Sequence, residues 1–235
     1  MDWDRKRGGI ASAAFKGGLR LVFTSKRYVW QESGLYSLII MSHPYITDSD
    51  ERKLVTFLLA IIATGVAVIA SLLLKIIRLE VPTWVDGPSI FSLFGLFYTA
   101  FKKWLWRSTA LHKIGLVKVP SLEGRWRGHI LTSFDSRNGK RDVDVVISQD
   151  WTEMSITLKG THSKSKSCVA SLLVRDGVQL AYEYVNEPTP GAVETMHTHR
   201  GYTRLDLSPD GTSLDGEYYS GRDRQNVGTI HLARQ

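Results

Sequence analysis

The stretch Leu54–Leu74, which reads LVTFLLAIIATGVAVIASLLL, decides the architecture of the first half of the chain. It contains no charged residue, and a helix of this length, at about 1.5 Å of rise per residue, crosses the roughly 30 Å hydrocarbon layer of a bilayer. A buried helix of a soluble protein is seldom apolar on every face, and a cleavable signal would lie nearer the N-terminus. The stretch therefore predicts a transmembrane helix over residues 54–74.

A second apolar block, Ile90–Phe101 (IFSLFGLFYTAF), is too short to span a bilayer alone and follows Asp86. Trp84 and Trp104 flank this block; in a helix their spacing is about 30 Å, which would place both indoles in the interfacial belts of a membrane. We predict a second transmembrane helix over residues 84–104, so that the two helices form a hairpin. A re-entrant or interfacial helix is the alternative.

Basic residues flank the predicted hairpin at both of its ends, namely Arg52, Lys53, Lys102, Lys103 and Arg107. Positively charged flanks stay on the cytosolic side of a membrane. This pattern predicts a multi-pass protein with cytosolic N- and C-termini and with the turn at residues 75–83 outside.

Small side chains recur at four-residue intervals in the first predicted helix, at Ala63, Ala67 and Ser71. Such a stripe lets another helix approach closely. Two interpretations stay open: oligomerisation within the membrane, or packing inside the hairpin itself.

The N-terminal segment, residues 1–53, carries scattered basic residues among glycines and has no periodic apolar face. We interpret it as a cytosolic segment. Met41 begins a short polar lead into the first helix. Our hypothesis is that translation starts at Met41 and that residues 1–40 are a non-native upstream extension.

The charge composition indicates which class of partner the protein binds. The net charge is +7 and the sequence pI is about 9.5, which favours an anionic partner, whether membrane headgroups or a phosphate-bearing ligand. The single cysteine, Cys168, excludes an internal disulfide framework; we interpret it as a core side chain.

Residues 117–235 show short alternating segments separated by turn residues such as Arg175-Asp176-Gly177, and no helical period. This pattern predicts a cytosolic all-β ligand-sensing domain, a small eight-stranded antiparallel up-and-down β-barrel whose interior can hold side chains or one small ligand. The eight predicted strands are Gly124–Ser133, Arg141–Gln149, Glu153–Lys159, Ser167–Val174, Gln179–Val185, Met196–Leu207, Leu214–Ser220 and Val227–Ala233. Their outward faces carry charges such as Arg127 and Asp142, which excludes a barrel embedded in lipid.

The predicted inner faces are apolar but include aromatic and polar edges, and nucleobases stack on aromatic rings while phosphates accept hydrogen bonds from arginine. The candidate ligand-binding residues are Trp126, Gln149, Trp151, Tyr182, Tyr184, His199, Tyr218, Arg222 and Arg224. Trp126 serving only as a plug of one barrel end is an open alternative. No P-loop, zinc-protease helix or nucleophile elbow is present, so the sequence predicts no enzyme; the pair His197 and His199 lacks a third ligand, so it predicts no metal site.

A series of short motifs follows the predicted hairpin in order: Trp104-Leu-Trp106-Arg107, Val119-Pro-Ser-Leu-Glu-Gly-Arg-Trp-Arg-Gly128, Gln149-Asp-Trp151, Leu180-Ala-Tyr-Glu-Tyr184, His199-Arg-Gly201 and Leu214-Asp-Gly-Glu-Tyr-Tyr219. In this order, and together with the hairpin, they resemble the bacterial effectors of cyclic-oligonucleotide anti-phage signalling (CBASS) that combine two transmembrane helices with a β-strand-rich domain. The resemblance runs from about residue 50 to the C-terminus.

The resemblance implies that the barrel binds a cyclic dinucleotide from a partner nucleotidyltransferase and that binding triggers homo-oligomerisation, disruption of the inner membrane and death of the infected cell. It implies no cofactor and no DNA or RNA polymer as partner. A membrane-tethered carrier or sensor of a hydrophobic small molecule is the rival interpretation, because eight-stranded barrels commonly hold such ligands.

Overall fold

The computed structural model describes residues 42–78, 86–192, 196–221 and 224–235. The described residues belong to one compact unit. The predictions made for residues 1–41, for Trp84 and for Arg222 lie outside the described residues.

Helix α1 spans Glu51–Ile76 and begins a turn before the predicted span. Its exposed side chains are almost all apolar, including Phe57, Ile69 and Leu73. Lipid is the solvent in which such a surface is favourable. Within the described parts of the chain, α1 is the one helix that is long and apolar enough to cross a membrane.

Helix α2 spans Asp86–Lys103 and covers most of the second predicted span. Its whole length includes Asp86, Lys102 and Lys103, so by length and composition it does not qualify as a second membrane span. The structure therefore gives a helical hairpin with one candidate span where the sequence predicted two.

The small-residue stripe of α1 faces the inside of this hairpin. Val55, Leu59 and Ala63 are buried at successive four-residue intervals, and Ala67 and Ser71 continue the stripe as half-buried residues. Helix α2 packs against α1, so in this structure the stripe packs within the hairpin.

Nine strands within the described residues close a barrel, one more than predicted. The strands are β1 (His43–Ile46), β2 (Gly124–Thr132), β3 (Arg141–Gln149), β4 (Glu153–Lys159), β5 (Ser163–Leu173), β6 (Gln179–Pro188), β7 (His199–Leu207), β8 (Ser213–Ser220) and β9 (Val227–Arg234). The eight strands β2–β9 correspond to the eight predicted ones. A 3₁₀ turn at Leu105–Arg107 and a short helix α3 (Thr109–Lys113) connect α2 to the barrel.

The additional strand, β1, comes from the segment that precedes α1. Strands β4 and β5 pair directly only over Thr157–Lys159 and Lys164–Lys166 and then diverge. Strand β1 fills the gap, antiparallel to β4 and parallel to β5. The barrel is therefore neither eight-stranded nor purely antiparallel, because four residues with no alternating pattern complete its wall.

Cys168 does not lie in the core. It is exposed at the point where a bulge between Ser167 and Val169 shifts the register of β5 against β6. An extra residue at a bulge leaves the alternation of the strand, so parity alone could not place this side chain.

The two ends of the barrel differ in what covers them. The connections at residues 150–152, 174–178 and 208–212 lie at the end that faces the helices. Strands β2, β4, β6 and β8 end at the opposite end of the barrel. We call these the closed end and the mouth.

Candidate functional site

A cavity of about 600 Å³ opens at the mouth of the barrel. This is within the size range of ligand pockets, roughly 300–1,000 Å³. Apolar side chains such as Ile130, Val143, Leu158 and Ile230 line its walls between polar and charged groups.

Tyrosines on alternate strands project into the cavity, each beside a glycine of the next strand. Tyr184 is opposite Gly201 and Tyr218 is opposite Gly228. A Cβ atom at Gly201 would lie 2.3 Å from Cζ and Oη of Tyr184, and one at Gly228 would lie 2.5 Å from Cε1 of Tyr218. Each ring therefore packs directly over the backbone of its glycine, where the Cβ atom of any other residue would collide with the ring.

Tyr182 is the deepest of the three tyrosines and is 3% exposed. Burial raises the pKa of its hydroxyl to about 12, although a hydrogen bond with Thr203 opposes the shift. Burial also raises the pKa values of Tyr184 and Tyr218. At neutral pH all three hydroxyls are uncharged donors, a state compatible with an anionic ligand.

Amide and hydroxyl groups line the β5–β6 side of the cavity. Ser165 donates a hydrogen bond of 2.8 Å from Oγ to Oδ1 of Asn186. Nδ2 of Asn186 donates to Sδ of Met196 at 3.4 Å. Ser165 and Asn186 are both buried, so their polar edges are held in place.

Cations gather at the mouth around one aromatic ring. The guanidinium groups of Arg141 and Arg224 lie 5.6 Å and 5.5 Å from the centroid of Phe134, and Lys140 also lines the cavity. Asp135 holds Arg141 through a 3.0 Å ion pair. Because Asp142 is the single carboxylate among the described lining residues, the mouth carries net positive charge.

The structure brings five of the nine predicted ligand-binding residues into this cavity: Tyr182, Tyr184, His199, Tyr218 and Arg224. Nδ1 of His199 lies 2.9 Å from the carbonyl oxygen of His197. Among the described residues no group of three His, Cys, Asp or Glu side chains has an arrangement that could hold a metal ion.

Trp126, Gln149 and Trp151, which the sequence grouped with the ligand site, lie at the closed end. Trp126 is 1% exposed, donates from Nε1 to the carbonyl oxygen of Leu122 at 3.0 Å, and lies under the guanidinium of Arg234. The structure places Trp126 at the end of the barrel away from the cavity. Parity indicates that a side chain lies inside the barrel but not at which end.

Gln149 and Trp151 join the barrel to the helices. Gln149 accepts a 2.7 Å hydrogen bond at Oε1 from the backbone amide of Leu122. Trp151 packs edge-on against Phe101 of α2, 5.2 Å between ring centroids, and lies 5.9 Å from the Trp106 ring. Both side chains are buried in contacts with the protein, so neither faces the cavity.

Sequence reasoning missed the mouth cluster of Phe134, Lys140 and Arg141, and also Asn186 and the two glycines. The neighbouring run Ser163-Lys-Ser-Lys-Ser167 alternates strictly in the sequence, and this alternation is typical of a strand with one polar and one charged face. In the structure these residues open β5, with Ser163 and Ser165 lining the cavity.

Comparison with known proteins agrees with this architecture. Residues 117–234 match the family model described as the Cap15 cyclic dinucleotide receptor domain, and residues 53–107 match the model of the Cap15 TM helices. CD-NTase-associated protein 15 of Yersinia aleksiciae is 32% identical over 211 residues, which cover 82% of this chain and 97% of that protein. The family resemblance inferred from the sequence motifs is thereby confirmed, and the chain belongs to the Cap15 family.

Proposed function

We propose that this protein is a membrane-anchored effector of anti-phage signalling whose barrel cavity binds a cyclic dinucleotide made by a partner nucleotidyltransferase. The observation that carries the proposal is the cavity itself, with tyrosine rings inside and cations at its mouth, in a domain that matches a cyclic dinucleotide receptor model.

The two kinds of lining group suit the two parts of such a ligand. Bases stack on aromatic rings, worth about 1–3 kcal/mol per base, and Tyr184 and Tyr218 offer rings braced by their glycines. Two phosphates need cations and neutral donors. Arg224, Arg141 and Lys140 supply the cations at the mouth, while the protonated tyrosines add donors without repelling the ligand.

In the proposed orientation both helices cross the bacterial inner membrane and the barrel lies in the cytosol with both chain termini. Glu51, the first residue of α1, and Lys103, the last residue of α2, lie at the barrel side of the hairpin. The match to a model of TM helices that covers both helices supports this topology, as do the basic flanks.

The closed end is the route by which binding would reach the membrane. The carboxylate of Glu51 accepts hydrogen bonds from the backbone amides of Lys118, at 2.5 Å, and Val119, at 3.2 Å. Lys102 pairs with Asp150 and Glu153 at 3.3 Å and 3.2 Å. A shift of the barrel wall would therefore act directly on the ends of both helices.

We propose that the liganded state oligomerises and disrupts the membrane. A ligand shifts an equilibrium only through different affinities for the two states, so the assembled form must bind the cyclic dinucleotide more tightly. In the hairpin Ala63 is fully buried. Assembly through Ala63, Ala67 and Ser71 would exchange contacts within the hairpin for contacts between subunits.

Thermal unfolding of the full chain in detergent tests the proposal. The panel contains cyclic dinucleotides, cyclic trinucleotides, linear dinucleotides and fatty acids. We expect a cyclic dinucleotide to raise the melting temperature of the wild type, to do so less for Arg224→Ala, and to act fully on Tyr219→Ala, whose ring is 52% exposed on the outer wall.

Stabilisation by fatty acids alone would instead favour the rival function, a carrier of a hydrophobic molecule. Dye release from vesicles that contain the protein, with and without the stabilising nucleotide, then tests membrane disruption. Release that is independent of nucleotide would contradict the gating.

A further inference from the structure

Asn186 is a buried polar residue of the cavity wall. Its side-chain oxygen and nitrogen have hydrogen-bond partners of unequal strength. It is 5% exposed and lies on β6 opposite Ser165 of β5 and His199 of β7. Its Oδ1 accepts a hydrogen bond from Oγ of Ser165 at 2.8 Å. Within the described residues, the one partner of its Nδ2 is the sulfur of Met196, at 3.4 Å.

A thioether sulfur is a weak hydrogen-bond acceptor. An amide N–H in a buried site is stabilised much more by an oxygen or ring nitrogen, because an unsatisfied donor there costs about 1–3 kcal/mol. The unbranched side chain of methionine is flexible and can move aside. Asn186 therefore presents a donor that a ligand acceptor would satisfy.

The position of Asn186 relative to Tyr184 would let this donor form a hydrogen bond with a base stacked on the tyrosine ring. The two residues are two apart on one strand, so their side chains lie on the same face, and both line the cavity. Tyr182 continues the row below them. A base stacked on Tyr184 would have its edge beside the amide of Asn186.

Ser165 decides which bases this amide accepts. Asparagine pairs with adenine through both of its edges, the oxygen taking a hydrogen from N6 and the nitrogen giving one to N7. Ser165 holds Oδ1 of Asn186 through one of its two lone pairs, and Nδ2 keeps only a weak partner among the described residues, so the group that the amide offers a ligand is a donor. This donor matches O4 of uracil or O6 of guanine and opposes the amino group that cytosine or adenine carries at the same position.

We propose that Asn186, oriented by Ser165, selects a base with a carbonyl group at this edge, uracil or guanine, in one of the two base positions. The inference rests on the proposed function, since it needs a cyclic dinucleotide in the cavity. It assigns Asn186 a specificity-determining role and Ser165 a positioning role.

The test is titration calorimetry on the full chain in detergent with cyclic di-UMP, cyclic di-CMP, cyclic di-GMP and cyclic di-AMP. The readout is the affinity ratio of uracil to cytosine and of guanine to adenine, which cancels any general loss of binding. For the wild type we expect the carbonyl member of at least one pair to bind about tenfold more tightly.

Two variants separate a specificity role from a structural one. Asn186→Asp turns an acceptor to the cavity, so the ratio should fall by about tenfold or reverse. Ser165→Ala frees Oδ1 and lets the amide turn, so the ratio should approach one. Ser163→Ala is the matched control, because this half-buried serine lines the same wall and should leave the ratio unchanged.

The results separate the inference from the function on which it rests. Binding with equal affinity within both pairs, or a ratio unchanged in both Asn186→Asp and Ser165→Ala, overturns the role of Asn186 and leaves the proposed function standing. Absence of binding for all four nucleotides, together with no stabilisation of the wild type by any cyclic dinucleotide in thermal unfolding, overturns both. If Asn186→Asp does not fold, Ser165→Ala decides alone.

Discussion

The closed end and the mouth of the barrel contain similar side chains in different surroundings. At the closed end Trp126, Gln149 and Trp151 are each buried against protein, and the side chains of Trp126 and Gln149 form hydrogen bonds with it. At the mouth, tyrosine, asparagine and arginine side chains surround a cavity of about 600 Å³. An aromatic residue inside a barrel is thus a structural residue at one end and a candidate ligand contact at the other.

The surroundings of a side chain, rather than its residue type, therefore separate the candidate site from the structural end of the barrel. The closed end belongs to a continuous buried cluster that extends from Val55 and Phe101 in the helices to Trp126 in the barrel. The mouth keeps donors with weak partners, such as Asn186 with its methionine sulfur. Substitutions at the closed end should therefore change folding, and substitutions at the mouth should change binding.

The largest effect is expected from Trp151→Ala. This change removes a fully buried ring that packs on Phe101 and Trp106 and should lower the free energy of unfolding by about 3–5 kcal/mol. Denaturant unfolding of the full chain in detergent measures it, with the exposed Tyr219→Ala as the control. A loss similar to that of the control would mean that the closed end does not join barrel and helices.

An intermediate effect is expected from Gly201→Ala. The new methyl group would lie 2.3 Å from the ring of Tyr184 and 2.7 Å from a backbone oxygen, so the ring must move, and overpacking of this kind costs about 1–3 kcal/mol. Ligand stabilisation should fall together with the melting temperature. Gly191→Ala, where no atom lies within 4 Å, should change neither; equal behaviour of the two variants would show that Tyr184 is not braced by Gly201.

The smallest effect is expected from the titration of Tyr182. Its pKa is raised by burial to about 12 from 10.0, so the stability it contributes is complete below about pH 10 and is lost as the pH rises towards 12. Between pH 8 and pH 11 this one hydroxyl should account for about 1.4 kcal/mol of the fall in unfolding free energy. Tyr182→Phe should flatten the pH dependence by that amount; identical curves for wild type and Tyr182→Phe would contradict the burial of a protonated hydroxyl.

Much of the fold could be predicted from the sequence because its signals are local. The charge-free run of Leu54–Leu74 and the alternation after Pro120 are each readable without the rest of the chain. Strand β1 was missed because His43–Ile46 has no alternating pattern and pairs with residues more than one hundred positions away. The second membrane span was predicted from tryptophan spacing. Helix α2 carries charged residues at both of its ends, so by length and composition it does not qualify as a span.

The sequence predicted which side chains of the candidate site face the barrel interior, but not at which end of the barrel they lie. Parity placed Tyr182, Tyr184 and Tyr218 inside the barrel, and the structure brings all three into the cavity. The same parity placed Trp126 inside, although it lies at the other end. Distance along the barrel axis depends on how the strands are staggered, which alternation does not encode.

The central claim is that the mouth, and not the closed end, receives the ligand. Titration calorimetry of the full chain in nanodiscs, with a cyclic dinucleotide that stabilises the wild type, compares Tyr218→Ala at the mouth with Trp126→Phe at the closed end. We expect Tyr218→Ala to weaken binding by about tenfold or more and Trp126→Phe, once folded, to bind as tightly as the wild type. Normal binding by Tyr218→Ala together with loss of binding by Trp126→Phe would contradict it.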